Sequence, residues 1–463
     1  MMNSILQTRQ VLVLVLCLCF FTTFAGIALA GTDVQVNDDT GENGQAIGPE
    51  KTAVVVKDTT VYAVWQDFRN VSDTASPDIY FAKGVIENNN VSFGSNVMVN
   101  DVPHMPLNDK PSAPAMAVGD NGNIYIVWTD NRNIDNQLEG VDVYFARSIN
   151  GGVSFEANQL IGSTTGGSGA AAIATAGDYV YVVYEHCCDP ANNVLDFVLS
   201  ADNGQSFSPL ETIYIPQEGE TGTGEPTIAA QGSNVFIAFQ LKTTDDGNKV
   251  ACMTSNNYGG SFSDPLFIYD DDGSATQSDM SIAVSGDNVY VTWHDVREPA
   301  GVYFSVSNDN GVTFPSTQLI IETGSTYPVP AISAQGDHVA ITYCGRHEGI
   351  YGFVVLTKIS HDAGITWSNE TIISDTDVSR SGIGPAAVSV TDEGAGFLWI
   401  DSRGTWDENV FFDWYDFDST GDDTTQDANQ DDTSSTEEDT PGFGLFILLT
   451  ALGILFFIIR RKR

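Results

Sequence analysis

The chain has 463 residues, with 61 Asp and Glu against 19 Lys and Arg, for a formal net charge of −42. That acidity, with no basic stripe to offset it, excludes nucleic acid as a partner. A hydrophobic content of 42% with 10% aromatics excludes global disorder, and 44 Gly with 17 Pro favour many short strands and tight turns over long helices.

At the N-terminus, Arg9 precedes an apolar run from Val11 to Phe21, and Ala28-Leu29-Ala30 stands before Gly31. A basic start, an apolar middle and a small-residue site in that order predict a secretory signal over residues 1–30. The domain that follows, residues 31–415, carries most of the acidic excess, a surface suited to high salt or to divalent cations.

Within that domain one unit repeats. Seven alternating apolar segments end in an aromatic residue: Trp65, Trp128, Tyr184, Phe239, Trp293, Tyr343 and Trp399. A small-residue strand precedes each, as in Ala115–Val118 or Thr227–Ala230, and a third strand follows, as in Asp142–Ala146 or Val302–Ser305. Small residues suit the crowded axis of a radial array, and period-2 alternation suits strands packed between neighbouring sheets.

Third strands lead into a turn of fixed pattern, Ser-x-Asp/Asn-x-Gly-x-Ser/Thr-aromatic. Five copies carry Asn150 and Gly152, Asp202 and Gly204, Asn257 and Gly259, Asp309 and Gly311, and Asp362 and Gly364. A worn sixth copy ends in Ser92-Phe93. The Asx side chain caps backbone N–H groups, Gly takes a positive φ and the aromatic plugs the turn onto a sheet. These turns resemble the Asp-box, or BNR repeat, of sialidase-like β-propellers over roughly residues 33–418. The fold expected is all-β: a seven-bladed propeller of four-stranded blades, the alternative being the six blades of sialidases themselves. Val34–Asp38 matches Val97–Asp101, so an N-terminal strand is expected to complete the last blade, whose third strand is Asn409–Tyr415.

Four aromatic ends extend to Trp-x-Asp-x-Arg, giving Asp67/Arg69, Asp130/Arg132, Asp295/Arg297 and Asp401/Arg403. The propeller resemblance puts these loops on the ligand-binding face. There the guanidinium forks either bind carboxylates and sugar hydroxyls or pair with their own Asp to fix the loop. Recurrence in four blades favours the second reading, because a catalytic site draws different residues from different blades. Two blades break the pattern, with Glu185-His186-Cys187-Cys188 and Cys344-Gly345-Arg346-His347-Glu348. Glu185, Arg346 and Glu348 are therefore the catalytic candidates. The sialidase arginine triad, however, finds no three counterparts, and the Arg-Ile-Pro-type motif is absent.

Cys187 and Cys188 are placed for a disulfide, with each other or elsewhere, in an extracellular setting. Asn70, Asn90 and Asn369 head glycosylation sequons. No zinc spacing is present. Asp270-Asp271-Asp272-x-Ser274 departs from the EF-hand pattern and reads as an exposed acidic turn, so no cofactor is expected, calcium being the one ion the acidic loop would suit.

Residues 416–440 are acidic and rich in Ser and Thr, without a basic residue, which predicts an extended stalk. Residues 442–459 are apolar and long enough to cross a bilayer, and Arg460 to Arg463 would hold that end in the cytoplasm. Thr440-Pro441-Gly442-Phe443-Gly444, the helix and the basic end make residues 441–463 resemble the PGF-CTERM sorting signal of archaeal surface proteins. That resemblance implies an archaeosortase exchanging the helix for a lipid. Together these features predict a monomeric propeller anchored at the cell surface, binding glycans or surface proteins at its central mouth. The alternative function implied by the resemblance is an exo-α-sialidase-like glycoside hydrolase.

Overall fold

The computed structural model describes residues 31–38, 52–67, 69, 77–102, 114–130, 132, 141–163, 167–187, 193–244, 247–268, 277–323, 328–347, 350, 352–375, 386–401 and 409–418. The signal, the stalk beyond residue 418 and the sorting tail lie outside the described residues. All regular structure within them is β, and no described helix is long and apolar enough to cross a membrane.

Seven antiparallel sheets stand around one axis. First in the chain is a short strand, β1 (Val34–Gln35), which belongs to the last blade. Blade 1 comprises β2 (Ala53–Lys57), β3 (Thr60–Asp67), β4 (Asp78–Glu87) and β5 (Asn90–Phe93), with β6 (Val97–Met98) also on β4. Blade 2 is β7 (Ala115–Val118), β8 (Ile124–Asp130), β9 (Asp142–Ser148) and β10 (Gln159–Gly162). Blade 3 is β11 (Ser168–Ala176), β12 (Tyr179–Cys187), β13 (Asn193–Ser200) and β14 (Glu211–Tyr214). Blade 4 is β15 (Glu220–Gln231), β16 (Asn234–Thr243), β17 (Asn248–Ser255) and β18 (Leu266–Phe267). Blade 5 is β19 (Gln277–Ser285), β20 (Asn288–Asp295), β21 (Gly301–Ser307) and β22 (Thr317–Glu322). Blade 6 is β23 (Ala331–Gln335), β24 (His338–Gly345), β25 (Val354–Ser360) and β26 (Thr371–Ile372). Blade 7 is β27 (Ala387–Val390), β28 (Gly394–Asp401) and β29 (Asn409–Asp416), completed by β1, with Val34 opposite Phe412.

The core is divided as this geometry requires. Seven buried apolar clusters each join two neighbouring blades, blade 7 to blade 1 included, so the ring is closed. Both faces of the second strands are covered by a neighbour, which is why β8 and β28 are buried along their whole length.

Asp-box turns fasten blade to blade as well as closing themselves. In the second copy Asp202 accepts from the Ser200 and Ser206 hydroxyls at 2.7 and 2.6 Å, and the Gly204 N–H donates to Ser200 Oγ at 2.9 Å. The turn aromatic then stacks edge-on against a Phe of the preceding blade: Phe155 on Phe81, Phe207 on Phe145, Phe262 on Phe197 and Trp367 on Phe304. Such pairs contribute about 0.5–1.5 kcal/mol each beyond their burial. Blade 1 departs from the sequence reading. Where a worn Asp-box is expected, Asn88 and Asn89 take φ of 50° and 62° and close a two-residue hairpin between Glu87 and Asn90. Asn tolerates that left-handed conformation, and consecutive positive φ angles match the twist of paired strands.

Candidate functional site at the channel mouth

Antiparallel order puts the starts of the first strands, the ends of the second and the starts of the third on one face. The Asp-box turns, between third and fourth strands, occupy the other. All seven first strands contribute to a central cavity of about 580 Å³, open at the end where those strands begin. Its wall is mainly small and apolar, with Ala53, Ala115, Ala171, Ala331 and Ala387 among the lining residues. Among the described residues, two of those lining it are charged, Glu225 on β15 and Asp279 on β19.

Both sit on irregularities of the β-ladder. The register with the second strand shifts between Gly224 and Thr227 in blade 4 and between Ser278 and Ser281 in blade 5. Glu225 and Asp279 there adopt φ of 49° and 53°. A side chain in the left-handed region costs roughly 1–2 kcal/mol, and such strain concentrates where a side chain must be aimed.

The two acids and Glu185 of blade 3 form a chain across three blades. The Asp279 N–H donates to Glu225 Oε2 at 2.8 Å, and the Glu225 N–H donates to the Glu185 carboxylate. Ser278 Oγ donates to Asp279 Oδ2 at 2.8 Å. Glu185 also accepts from Asn193 Nδ2, and Lys242 Nζ lies 3.9 Å away. Burial pushes the Glu185 carboxyl above the usual range, opposed by Lys242 and Asn193. Glu225 and Asp279 thus face the apolar well as carboxylate acceptors, while Glu185 and Lys242 stand behind them and are not among the residues lining it. That combination suits a polyhydroxylated ligand, whose hydroxyls donate to the acids while its apolar face meets the wall.

Glu185 was legible in the sequence as a broken repeat. Glu225 and Asp279 carry no repeat signal in the sequence: Glu225 lies within β15 among Thr and Gly, and Asp279 follows Gln277 and Ser278 in β19. The Asp–Arg pairs are engaged within their own loops. Trp65 Nε1 donates to Asp67 Oδ2 at 2.9 Å, and Arg69 grips the same carboxylate at 2.6 Å while its guanidinium lies 4.1 Å over Tyr80. Arg132 repeats this with Asp130 and Tyr144, as does Arg297 with Asp295 and Tyr303. Arg69 and Arg132 also reach back to Asp38 and Asp101, at 2.5 and 2.7 Å, on the chain that completes the preceding blade. Asp401 is buried; Arg403 lies outside the described residues.

Arg346 is exposed, 5.3 Å over the Phe353 ring, and is not among the lining residues of the cavity. Glu348, Asn70 and Cys188 lie outside the described residues, as do Asp270, Asp271, Asp272 and Ser274. The Cys187 side chain is likewise not described. Asn90 and Asn369 are exposed, Cys252 is a buried free thiol, and no three His, Cys, Asp or Glu among the described residues form a metal cage. Tyr343 donates to Glu370, a Tyr–Glu pair in blade 6, but neither residue lines the cavity.

No family model matches the chain, and no curated protein matches it. Solved structures share its fold. An ulvan lyase, described as a new family of polysaccharide lyase and bound to -[GlcA(1-4)Rha3S]-, is 13% identical with a TM-score of 0.55, covering 84% of this chain and 95% of its own. The polysaccharide lyase Uly1 is 10% identical with a TM-score of 0.52, over 81% and 91%. Trypanosoma rangeli sialidase with the inhibitor DANA is 12% identical with a TM-score of 0.44, over 66% of this chain and 55% of its own. Identities this low establish a common β-propeller architecture and go no further.

Proposed function

We propose that this protein is a cell-surface-anchored propeller that binds glycans at its central mouth, with Glu225 and Asp279 as hydroxyl acceptors and Glu185 positioning Glu225 from behind. The observation that carries the reading is the pair of acids on left-handed backbone at the rim of a cavity otherwise lined by small apolar and uncharged residues. An ulvan lyase of the same fold is described with a glycan bound, which agrees with it. Anchoring rests on the stalk, the apolar segment 442–459 and the basic end. A sialidase-type hydrolase is the weaker reading, because Arg69, Arg132 and Arg297 are each held by their own Asp, in blades 1, 2 and 5.

Calorimetric titration of the purified chain with neutral, amino and acidic oligosaccharides tests this. Binding is expected, weakened at least tenfold by Glu225→Gln or Asp279→Asn and unchanged by EDTA. Turnover of a fluorogenic sialoside, lost in Glu185→Gln or Arg346→Ala, would replace binding by hydrolysis.

A further inference from the structure

The ring closes at the start of the described domain, and at that seam a buried carboxylate has no counter-ion among the described residues. Asp413, on β29, is only 1% exposed. Its Oδ1 accepts from the Trp414 N–H at 2.7 Å, while Oδ2 has no hydrogen-bond partner among the described residues. The surroundings are acidic. Asp33 and Asp375 exchange reciprocal bonds, each N–H donating to the other's Oδ2 at 2.9 Å, and both carboxylates repel Asp413. A buried, unpaired carboxylate beside two others is costly by several kcal/mol.

Gly31 lies against this group. Its N–H donates to the Trp414 carbonyl at 3.1 Å and also to the Asp413 carboxylate. A Cβ added to Gly31 would stand 2.6 Å from Asp413 Oδ1, so the position admits only glycine without rearrangement. Gly31 is also the residue that follows Ala28-Leu29-Ala30, the small-residue cleavage site.

We propose that signal-peptide removal completes the fold: the new Gly31 α-ammonium becomes the counter-ion of buried Asp413 and locks β1 onto blade 7. In the step itself a signal peptidase adds water across the Ala30–Gly31 amide. The water oxygen becomes part of the Ala30 carboxylate, and the released Gly31 amine takes up protons to become an ammonium with three donors where the amide had one. Two of those donors match the acceptors already in place, the Trp414 carbonyl and Asp413 Oδ1, and a third is available for Oδ2. With Asp33 and Asp375 nearby, the ammonium brings a positive charge to a place where three carboxylates converge. In the unprocessed chain burial and the two neighbouring carboxylates push the Asp413 carboxyl up to about 8, so near pH 7 it must be held protonated, and it gains an ion pair only after cleavage.

The test uses the full chain purified in detergent after processing, with its first residue identified by N-terminal sequencing. A variant with Ala-Ser inserted between Ala30 and Gly31 leaves two extra residues after cleavage and moves the ammonium away. The insertion is expected to lower the melting temperature by about 5 °C at pH 7, the effect of breaking a buried ion pair in a domain of this size. In the Asp413→Asn background it should change it by less than about 1 °C. As a second readout, the α-amine of the processed chain should react with an acylating reagent at pH 7.5 at least about tenfold more slowly than that of the insertion variant, because pairing keeps it protonated and buried. Equal melting temperatures, an insertion effect that persists undiminished in the Asp413→Asn background, equal amine reactivity, or a first residue other than Gly31 would each overturn the proposal.

Discussion

Replacing Arg69 by Ala separates a loop-fixing arginine from a ligand-binding one. The guanidinium is largely buried, with 13% of the side chain exposed, and it faces Asp67, which is 2% exposed, at 2.6 Å. Its second carboxylate, Asp38 at 2.5 Å, is 46% exposed, so solvent screens that contact and it contributes little, about 0–1 kcal/mol. Removing the arginine strands the Asp67 charge beneath the loop, which costs about 3–5 kcal/mol, and forfeits the stacking on Tyr80. A domain of this length has an unfolding entropy of about 0.8 kcal/mol/K, so the melting temperature should fall by about 4–6 °C. Asp67→Asn in the same chain removes the stranded charge and should recover part of that loss, a coupling read from the double-mutant cycle. Calorimetry gives the stability and titration with the best oligosaccharide gives the affinity. Lower stability with affinity unchanged within twofold is expected. Unchanged stability with a tenfold loss of affinity would refute the reasoning and return Arg69 to the ligand.

Two further predictions concern the Asp-box turns. Hydrogen bonds from Ser and Thr hydroxyls and backbone N–H groups lower Asp202, Asp309 and Asp362 to about 2. A carboxylate lowered in the folded state stabilises above its unfolded value, near 3.8, and that contribution is lost as pH falls from there through about 2. The triple change to Asn, the residue already present at Asn150 and Asn257, should therefore flatten acid unfolding between about pH 4 and 2 followed by circular dichroism. Gly204→Ala and Gly177→Ala place a methyl group at φ of 73° and 57° respectively. At Gly204 the added carbon meets the Phe145 ring at 2.8 Å, whereas at Gly177 nothing lies within 4 Å. The first should cost about 1–3 kcal/mol more than the second in denaturant unfolding, and equal costs would contradict the packing of that turn on blade 2.

The architecture was legible because each blade repeats its own local chemistry. Trp65, Trp128, Trp293 and Trp399 mark second strands buried between blades, and the Ser-x-Asp-x-Gly turns mark where third strands end. Val34–Asp38, a second copy of Val97–Asp101, foretold the closing strand. Blade 1 escaped the pattern because Asn88-Asn89 supplies a hairpin of its own, a property of two residues that a repeat template does not weigh. Glu225 and Asp279 escaped for a related reason. A β-bulge shifts the register by one residue and turns a side chain from one side of the strand to the other, so alternation does not report where it points. Asp413 reads in sequence as an ordinary alternating polar position in β29. Its meaning comes only from Gly31, at the far end of the domain's sequence, which the ring closure brings to it.

The most direct test of the account is a crystal structure of the chain soaked with the oligosaccharide that binds it best. The sugar is expected in the central cavity, its hydroxyls donating to Glu225 and Asp279 at the end where the seven first strands begin. A sugar seated on the Asp-box face, or on the outer strands with the cavity empty, would contradict it.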